Sequence, residues 1–173
     1  MADLTSVADV KKYLRINSAT DDALIGSLVS SASKFIESWC GRSFSAADYV
    51  EKFNGTNRDY HFVKHTPLNS LVYVKVNNIN EEVLNYNEEM IVISNTFKSG
   101  RINCEISYNA GYDVIPADIE QACIELVGIK YKQIETLNLS SKAIAGETTS
   151  FIVNEMPDFV KVVLQQYRSV NIF

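Results

Sequence analysis

The two histidines are the side chains best suited to bind a metal ion or to transfer a proton near neutral pH. His61 and His65 are the only histidines in the chain, and they lie four residues apart. The surrounding sequence predicts a strand, in which side chains four positions apart share a face but are separated by about 13 Å. That separation is too large for one metal ion, and the cysteines do not stand at the spacing of a zinc site. We therefore expect two polar rings beside a hairpin and no metal site.

The three cysteines do not indicate redox or nucleophilic chemistry. The chain has three cysteines, Cys40, Cys104 and Cys123. They are too few and too scattered to form a disulfide framework. Cys123 falls on the apolar face of a predicted helix, where we expect it to be a small buried hydrophobic residue. The N-terminal residues also lack the pattern of a secretory signal, so the expected compartment is a reducing cytoplasm.

Paired carboxylates and glycines do not predict an active site either. Adjacent carboxylates occur at Asp21-Asp22, Glu81-Glu82 and Glu88-Glu89, but neighbouring side chains diverge, so we expect helix caps and solvated turns. Neither a glycine-rich phosphate loop nor a Gly-x-Ser-x-Gly elbow occurs in the sequence. The residues therefore predict no catalytic site, and they favour a binding or assembly module over an enzyme.

Composition predicts a soluble, acidic protein. The 173 residues include 16 Lys and Arg against 21 Asp and Glu, which gives a net charge of −5, and 46% are hydrophobic. Broad nucleic-acid binding requires a dense basic surface, which this balance argues against. The densest basic group is Lys11, Lys12 and Arg15, on the polar side of the first predicted helix. No apolar run approaches the roughly 20 residues that span a bilayer, so no membrane partner is expected.

The hydrophobic pattern changes its period twice, and this predicts a segregated α+β fold. We expect a single domain over residues 1–173, built as a helical bundle of about four helices with an inserted antiparallel β-rich portion. The predicted helices are about 5–15, 21–40, 116–133 and 157–169, the β-rich insertion is about 47–112, and an irregular segment covers about 135–155.

The second predicted helix has the clearest pattern. Asp21 and Asp22 place negative charge at its N-terminus, and Gly41 suits its C-terminal stop. Its apolar residues form one continuous stripe at helical spacing. Phe35 and Trp39 belong to that stripe, and we expect both to lie in the core.

Local signals also mark the other boundaries. Ser6 with Asp9 resembles a capping box at the start of the first helix. Gly111 predicts a backbone bend where the last strand ends. Pro116 is suited to the first position of the third helix.

The features that remain are suited to binding a partner. The run Phe151-Ile152-Val153 is β-like and stands between polar stretches, so it could add to the sheet edge of another chain. The apolar residues at the end of the chain either pack on the core or contact a partner. The same two alternatives apply to Phe151 and Ile152, which could simply cover the protein's own core. We expect partner contacts at Leu137, Leu139, Lys142, Ile144, Phe151, Ile152, Ile172 and Phe173.

Several short motifs stand in a characteristic order. Residues 4–16 read LTSVADVKKYLRI, and residues 36–44 read Ile-Glu-x-x-x-Gly-Arg-x-Phe at the end of a long helix. Residues 108–113 read YNAGYD, Pro-Ala-Asp-Ile follows at 116–119, and Leu-x-x-Tyr-Arg closes the pattern at 164–168. Together they resemble the head–tail connector proteins of tailed phages, which are also called adaptor, head-completion or DNA-packaging proteins.

This resemblance implies a structural virion protein that is not an enzyme and needs no cofactor. Proteins of this kind assemble head-to-tail into a ring, typically of about twelve copies, under the portal at the capsid vertex. The implied partners are further copies of the chain, the portal protein and the next neck or tail protein, with DNA passing through without sequence-specific binding. The implied location is the neck of the virion at the head–tail junction, after synthesis in the bacterial host cytoplasm. The long β-rich insertion suits the larger members of the family.

Two alternatives follow from the same sequence. One is a tail-completion protein or another neck protein of the same virion. The other is a cytoplasmic DNA-binding regulator that uses the first two helices, for which Lys11, Lys12 and Arg15 are the supporting residues. A small-molecule enzyme is a more distant third possibility, and it would require a deep polar pocket with perturbed titratable groups.

Overall fold

The computed structural model describes residues 3–137 and 156–168, and the chain divides into two compact units. The first unit combines the two ends of the chain, up to Arg42 and from Ile115 onward, and contains the helices. The second unit is formed by the residues between them, 43–114, and contains the strands. This segregation confirms the predicted α+β class, in which an antiparallel β-rich portion is inserted into a set of helices.

The helical unit consists of four helices within the described residues. They are α1 (Val7–Leu14), α2 (Asp22–Cys40), α3 (Ala117–Leu137) and α4 (Asp158–Gln166). Helix α3 contacts each of the other three, and α2 contacts α1 and α4 as well. Fully buried aliphatic side chains from all four helices form the core, among them Val10, Ile25, Ile36, Val127 and Leu164.

Hydrogen bonds between distant positions fasten the helices to one another. The Tyr131 hydroxyl on α3 donates to Asp21 Oδ2 at 2.8 Å, next to the start of α2. The Tyr167 hydroxyl, just after α4, donates to Asp118 Oδ2 at 2.8 Å near the start of α3. Both acceptors are carboxylates at helix N-termini, where negative charge is favourable.

The helix ends agree closely with the local signals. Ser6 is the N-cap of α1 and its Oγ accepts from Asp9 N at 3.1 Å, while Gly41 ends α2 in the left-handed region with φ 67°. Asp21 stands at the N-cap of α2 but makes no side-chain cap bond, because its carboxylate is bound by Tyr131. Pro116 lies one residue before α3, and its carbonyl accepts from Glu120 N. Pro116 was predicted to be the first residue of this helix, but the helix begins one residue later, at Ala117.

The prediction that Phe35 and Trp39 lie in the core is wrong. Their side chains are 42% and 39% exposed, although Ile36 and Cys40 beside them are fully buried. The apolar stripe of α2 is wider than the surface that the described parts of α1, α3 and α4 cover. The two rings instead lie together on the helix surface, with centroids 6.5 Å apart.

The β unit contains two antiparallel sheets. Their strands are β1 (Ala47–Gly55), β2 (Tyr60–Phe62), β3 (Leu68–Val76), β4 (Ile79–Asn80), β5 (Val83–Tyr86), β6 (Met90–Ile93) and β7 (Gly100–Ala110). The first sheet has the order β1-β7-β3-β4 and the second the order β2-β6-β5. Strands β3 and β4, and likewise β5 and β6, pair as sequence neighbours, but the central strand β7 pairs with β1 and β3 from far earlier in the chain.

Side chains of both sheets share one core. Alternate residues of β7 are buried, which is the pattern of a strand with one face on a core. Those side chains, Ile106 and Tyr108 among them, cluster with Ile91 and Ile93 of β6 and with Phe97.

The two ends of the β unit meet. Ser45 and Tyr112 form a parallel bridge, in which Ala46 N donates to Tyr112 O at 3.1 Å and Tyr112 N donates to Phe44 O at 2.8 Å. Gly111 makes the bend beside this bridge with φ 115°, as its position predicted. A Cβ atom on Gly111 would lie 2.6 Å from Ser45 O, so the close approach requires glycine.

Candidate functional site

A dense group of titratable side chains in the β unit is centred on Glu51. His61 Nε2 lies 3.1 Å from Glu51 Oε1. The Tyr108 hydroxyl and Lys64 N both donate to Glu51 Oε2, at 2.9 and 3.0 Å. Because Glu51 lies on β1, Tyr108 on β7 and His61 on β2, this carboxylate connects the two sheets. We call Glu51, His61 and Tyr108 the inter-sheet cluster.

The electrostatics of the inter-sheet cluster indicate a bracing role. Burial acts to raise the pKa of Glu51, but the hydrogen bonds from His61, Lys64 and Tyr108 outweigh it and hold that pKa below its ordinary value. Burial, followed by the charge of Glu51, raises the pKa of Tyr108. Each oxygen of Glu51 is engaged by groups of the protein itself, so the cluster resembles a satisfied polar network rather than a general acid and base awaiting a substrate.

Both histidine rings are stacked on aromatic residues of β1. His61 lies on Phe53 with ring centroids 3.5 Å apart, and His65 lies on Tyr49 at 3.8 Å. Within residues 3–137 and 156–168, His, Cys, Asp and Glu do not come together in a group of three that could hold a metal ion. The structure thus gives the two rings a packing role at the junction of the sheets.

The cysteines are buried and far from a reactive state. Burial raises the pKa of Cys40 and of Cys123 to about 11, so both thiols are protonated at neutral pH. Cys123 packs in the helical unit with its Sγ 3.7 Å from Ser33 Oγ.

The predicted basic group on α1 is partly neutralised by a contact within the protein. Lys11 Nζ forms an ion pair of 2.6 Å with Asp22 Oδ1, and the Lys11 side chain is only 18% exposed. Arg15 follows α1 in the left-handed region and caps the helix through its backbone N–H. Of this basic group, only Lys12 and Arg15 therefore remain to present positive charge, which is a weak basis for holding a DNA backbone.

Both units have large apolar side chains that are exposed to solvent. In the helical unit, Phe35 and Trp39 of α2 are exposed, and so are Phe159 and Val162 of α4, at 49% and 57%. In the β unit, exposed aliphatic side chains lie on strands of both sheets and at the end of the unit, namely Val50, Val72, Ile79, Leu84, Ile102 and Val114. Exposed apolar side chains indicate a binding surface where they lie together, as the rings of Phe35 and Trp39 do on α2.

Almost all of the partner residues predicted from the sequence lie outside the described residues. Leu137 is the last residue of α3. The remaining ones fall in the segments 138–155 and 169–173 that the structure does not describe, namely Leu139, Lys142, Ile144, Phe151, Ile152, Ile172 and Phe173. Sequence reasoning missed the exposed residues of α2, because a helical stripe does not reveal how much of it the neighbouring helices cover.

Comparison with known proteins places the chain in a family. The sequence model described as "Head completion protein" matches residues 3–170. The chain belongs to the head completion protein family. The resemblance inferred from the motifs is therefore confirmed, and the DNA-binding regulator gains nothing from the comparison. No curated protein matches the chain.

Solved structures with the same fold come from gene transfer agent (GTA) particles. A chain from the neck of an empty GTA particle, computed with C6 symmetry, matches with a TM-score of 0.63 and 15% identity. A chain from the neck of the native particle, computed with C12 symmetry, gives 0.62 and 14%, and one from the native GTA virion gives 0.62 and 16%. Each match covers 96% of this chain and 90% of the other. None of the helices described is both long and apolar enough to cross a membrane.

Proposed function

We propose that the chain is a structural component of the head–tail connector of a tailed phage, prophage or related particle, and that its copies form a ring under the portal. The observation that carries this proposal is the family match over residues 3–170, which includes both the helices and the β unit. The C6 and C12 symmetries of the necks that contain similar chains support a ring, and about twelve copies is the number we propose.

The surface chemistry favours association of copies with one another and with neighbouring neck proteins. The exposed pair Phe35 and Trp39 lies on α2, a helix of 19 residues, and aromatic residues are enriched at protein interfaces. A head-to-tail contact uses two different surfaces of each copy, so a ring needs two such patches. We propose that the exposed rings of α2 belong to one of them.

The partners proposed for the ring are the portal on one side and the next neck or tail protein on the other. The segment 137–155 and the tail 169–173 contain the residues that we propose for contacts with other copies of the chain and with these neighbours, Phe151, Ile152, Ile172 and Phe173 above all. A net charge of −5 suits a ring whose channel must let DNA pass, because a strongly basic lining would hold phosphates. This function requires no catalytic residue and no cofactor.

The proposal is tested by adding the purified chain to capsids that carry a portal and lack this protein, followed by electron microscopy. The expected result is a new ring of density under the portal, whose symmetry gives the copy number. Deletion of residues 138–150 is expected to leave the thermal unfolding of the chain unchanged while the ring is lost. Absence of the ring with the intact chain, together with salt-dependent binding of the chain to duplex DNA, would overturn the proposal.

A further inference from the structure

A groove of about 500 Å³ opens in the β unit between strands of its two sheets. One wall is formed by residues 71–74 of β3. The other is formed by β5, Val83–Tyr86, together with Asn80 and Glu81 just before it. All of these residues belong to the β unit, so the groove is complete within one unit.

Both walls are sheet edges. Strand β3 pairs with β7 along its length but with β4 only at Lys75 and Val76. The open edge is closed at its two ends, where Leu68 N donates to Glu88 O at 2.8 Å and Val74 O accepts from Glu81 N at 2.9 Å. Between these ends, residues 69–73 have no strand beside them on this edge within the described part of the chain. Strand β5 likewise ends its sheet and pairs with β6 alone.

A β-bulge on each wall exposes an aliphatic side chain. The register of β3 against β7 skips Val72, and the register of β5 against β6 skips Leu84. The extra residue of a bulge is unpaired and its side chain is re-aimed. Val72 is 67% exposed, Leu84 is 63% exposed, and both line the groove together with Tyr86. Exposed apolar residues on a sheet edge promote pairing with another chain, so their presence here indicates an occupant.

We propose that this groove receives residues 150–154 of a second copy of the chain, which add to the edge of β3 as an extra strand. The proposal rests on the proposed function, because it supplies one of the two different surfaces that a head-to-tail ring contact requires. In this mode of recognition, main-chain hydrogen bonds provide affinity and alternate side chains enter pockets.

The sequence of residues 150–154, Ser-Phe-Ile-Val-Asn, matches what the groove offers. Its five residues equal the length of the open edge, and Phe, Ile and Val are favoured in strands. Residues 148–154 carry no charge, so no ionised side chain would be desolvated when the segment is buried beside Val72 and Leu84. Glu81 is the one charged residue among those that line the groove, and it lies at the end of the open edge.

The position of the segment in the chain favours a neighbouring copy in the ring. Met156 is the first residue of the described C-terminal part, and Val153 lies three residues before it. An extended chain spans three residues in about 10 Å. The groove of the receiving copy must therefore come within that distance of the residues preceding α4 in the donating copy. In a ring every copy has a neighbour in the same relative position, so a contact that meets this condition once is repeated around the circle.

The first test uses the isolated full-length protein and an acetylated peptide of residues 147–155. We expect the peptide to shift the backbone amide resonances of residues 69–73 and 83–86, while a peptide of scrambled sequence does not. Leu84→Asp is expected to weaken this binding at least tenfold. The matched control is Val50→Asp, which places the same charge at a 60% exposed valine on β1, away from the groove, and should leave binding unchanged. No shift with millimolar peptide, or shifts confined to other strands, would overturn the proposal.

The second test uses the assembled ring. Copies that carry Leu84→Cys are mixed with copies that carry Ile152→Cys on portal-bearing capsids, and we expect a disulfide between the two kinds of copy. Each variant alone is the control, because the three native cysteines are buried. Rings that form normally from Leu84→Asp, or a groove covered in the ring by a different protein, would overturn this inference while the proposed function stands. Failure of the unaltered chain to form a ring would count against the proposed function instead.

Discussion

The hydroxyl of Tyr108 donates a hydrogen bond of 2.9 Å to the carboxylate of Glu51, across the pairing of strands β7 and β1. The other oxygen of Glu51 lies 3.1 Å from His61 on a strand of the second sheet. One carboxylate therefore joins three strands and both sheets. Since its surroundings stabilise the charged form, the stability of the β unit is linked to the ionisation of this single group.

Replacing Glu51 with glutamine should reduce the pH dependence of unfolding. The folded-state pKa of Glu51 lies below its ordinary value of 4.5, so the stability that its charge contributes is complete above about pH 5 and is lost as the pH falls through the folded pKa. We expect Glu51→Gln to lower the free energy of unfolding at pH 7 by about 1–3 kcal/mol, because charged hydrogen bonds are lost. Urea unfolding from pH 7 to pH 3 measures both effects, and an equally steep decline in the variant would contradict this account.

Two glycine-to-alanine substitutions should change stability in opposite directions. Gly111 has φ 115° and no room for a Cβ atom, so Gly111→Ala should cost about 2 kcal/mol or more. Gly26 lies inside α2, and its added Cβ would meet Val7 Cγ2 at an ordinary 3.7 Å. Gly26→Ala should therefore stabilise the protein by up to about 1 kcal/mol. Thermal unfolding of the two variants side by side checks the prediction, and destabilisation by both would refute it.

The same truncation at two isoleucines of β7 should separate the core from the surface. Ile106 is fully buried among the side chains of both sheets, so Ile106→Ala should lower the free energy of unfolding by about 2–5 kcal/mol. Ile102 is 61% exposed and has φ 49°, which is strained for a β-branched residue, so Ile102→Ala should change stability little. Denaturant titration of both proteins gives the difference, and similar losses would mean that the core is misassigned.

A charge placed on the exposed aromatic pair should affect assembly more than folding. Phe35 is 42% exposed, so Phe35→Lys is expected to change the free energy of unfolding by less than about 1 kcal/mol while it reduces ring formation on portals. Ser27→Lys is the matched control, because it puts the same charge on an exposed polar position of the same helix about two turns before Phe35. Equal ring formation by the two variants would show that Phe35 does not lie in the interface.

The helices were predictable because their signals are local. Ser6 caps α1 through Asp9, Gly41 ends α2, and Gly111 turns the chain after β7, each for a reason that is contained within a few residues. The class of fold followed from the change in hydrophobic period. These properties do not depend on what lies elsewhere in the molecule.

What could not be predicted depends on distant partners. The exposure of Phe35 and Trp39 is decided by how much of α2 its neighbours cover, and the apolar stripe alone does not show this. Strand β7 pairs with β1 from 51 to 63 residues earlier, from Cys104 opposite Phe53 to Ala110 opposite Ala47, and no turn between them fixes that register. The groove and the inter-sheet cluster both arise from such long-range pairing, so neither was visible in the sequence.

The bridge between Ser45 and Tyr112 has a consequence for how this protein could have arisen. Adjacent paired strands lie about 5 Å apart, so the chain leaves the helical unit and returns to it through two points that nearly coincide. A segment whose ends are so close can be lengthened, shortened or exchanged during evolution without altering the course of the helices on either side. Because the β unit begins and ends at neighbouring points, it has the geometry of a segment inserted into another fold.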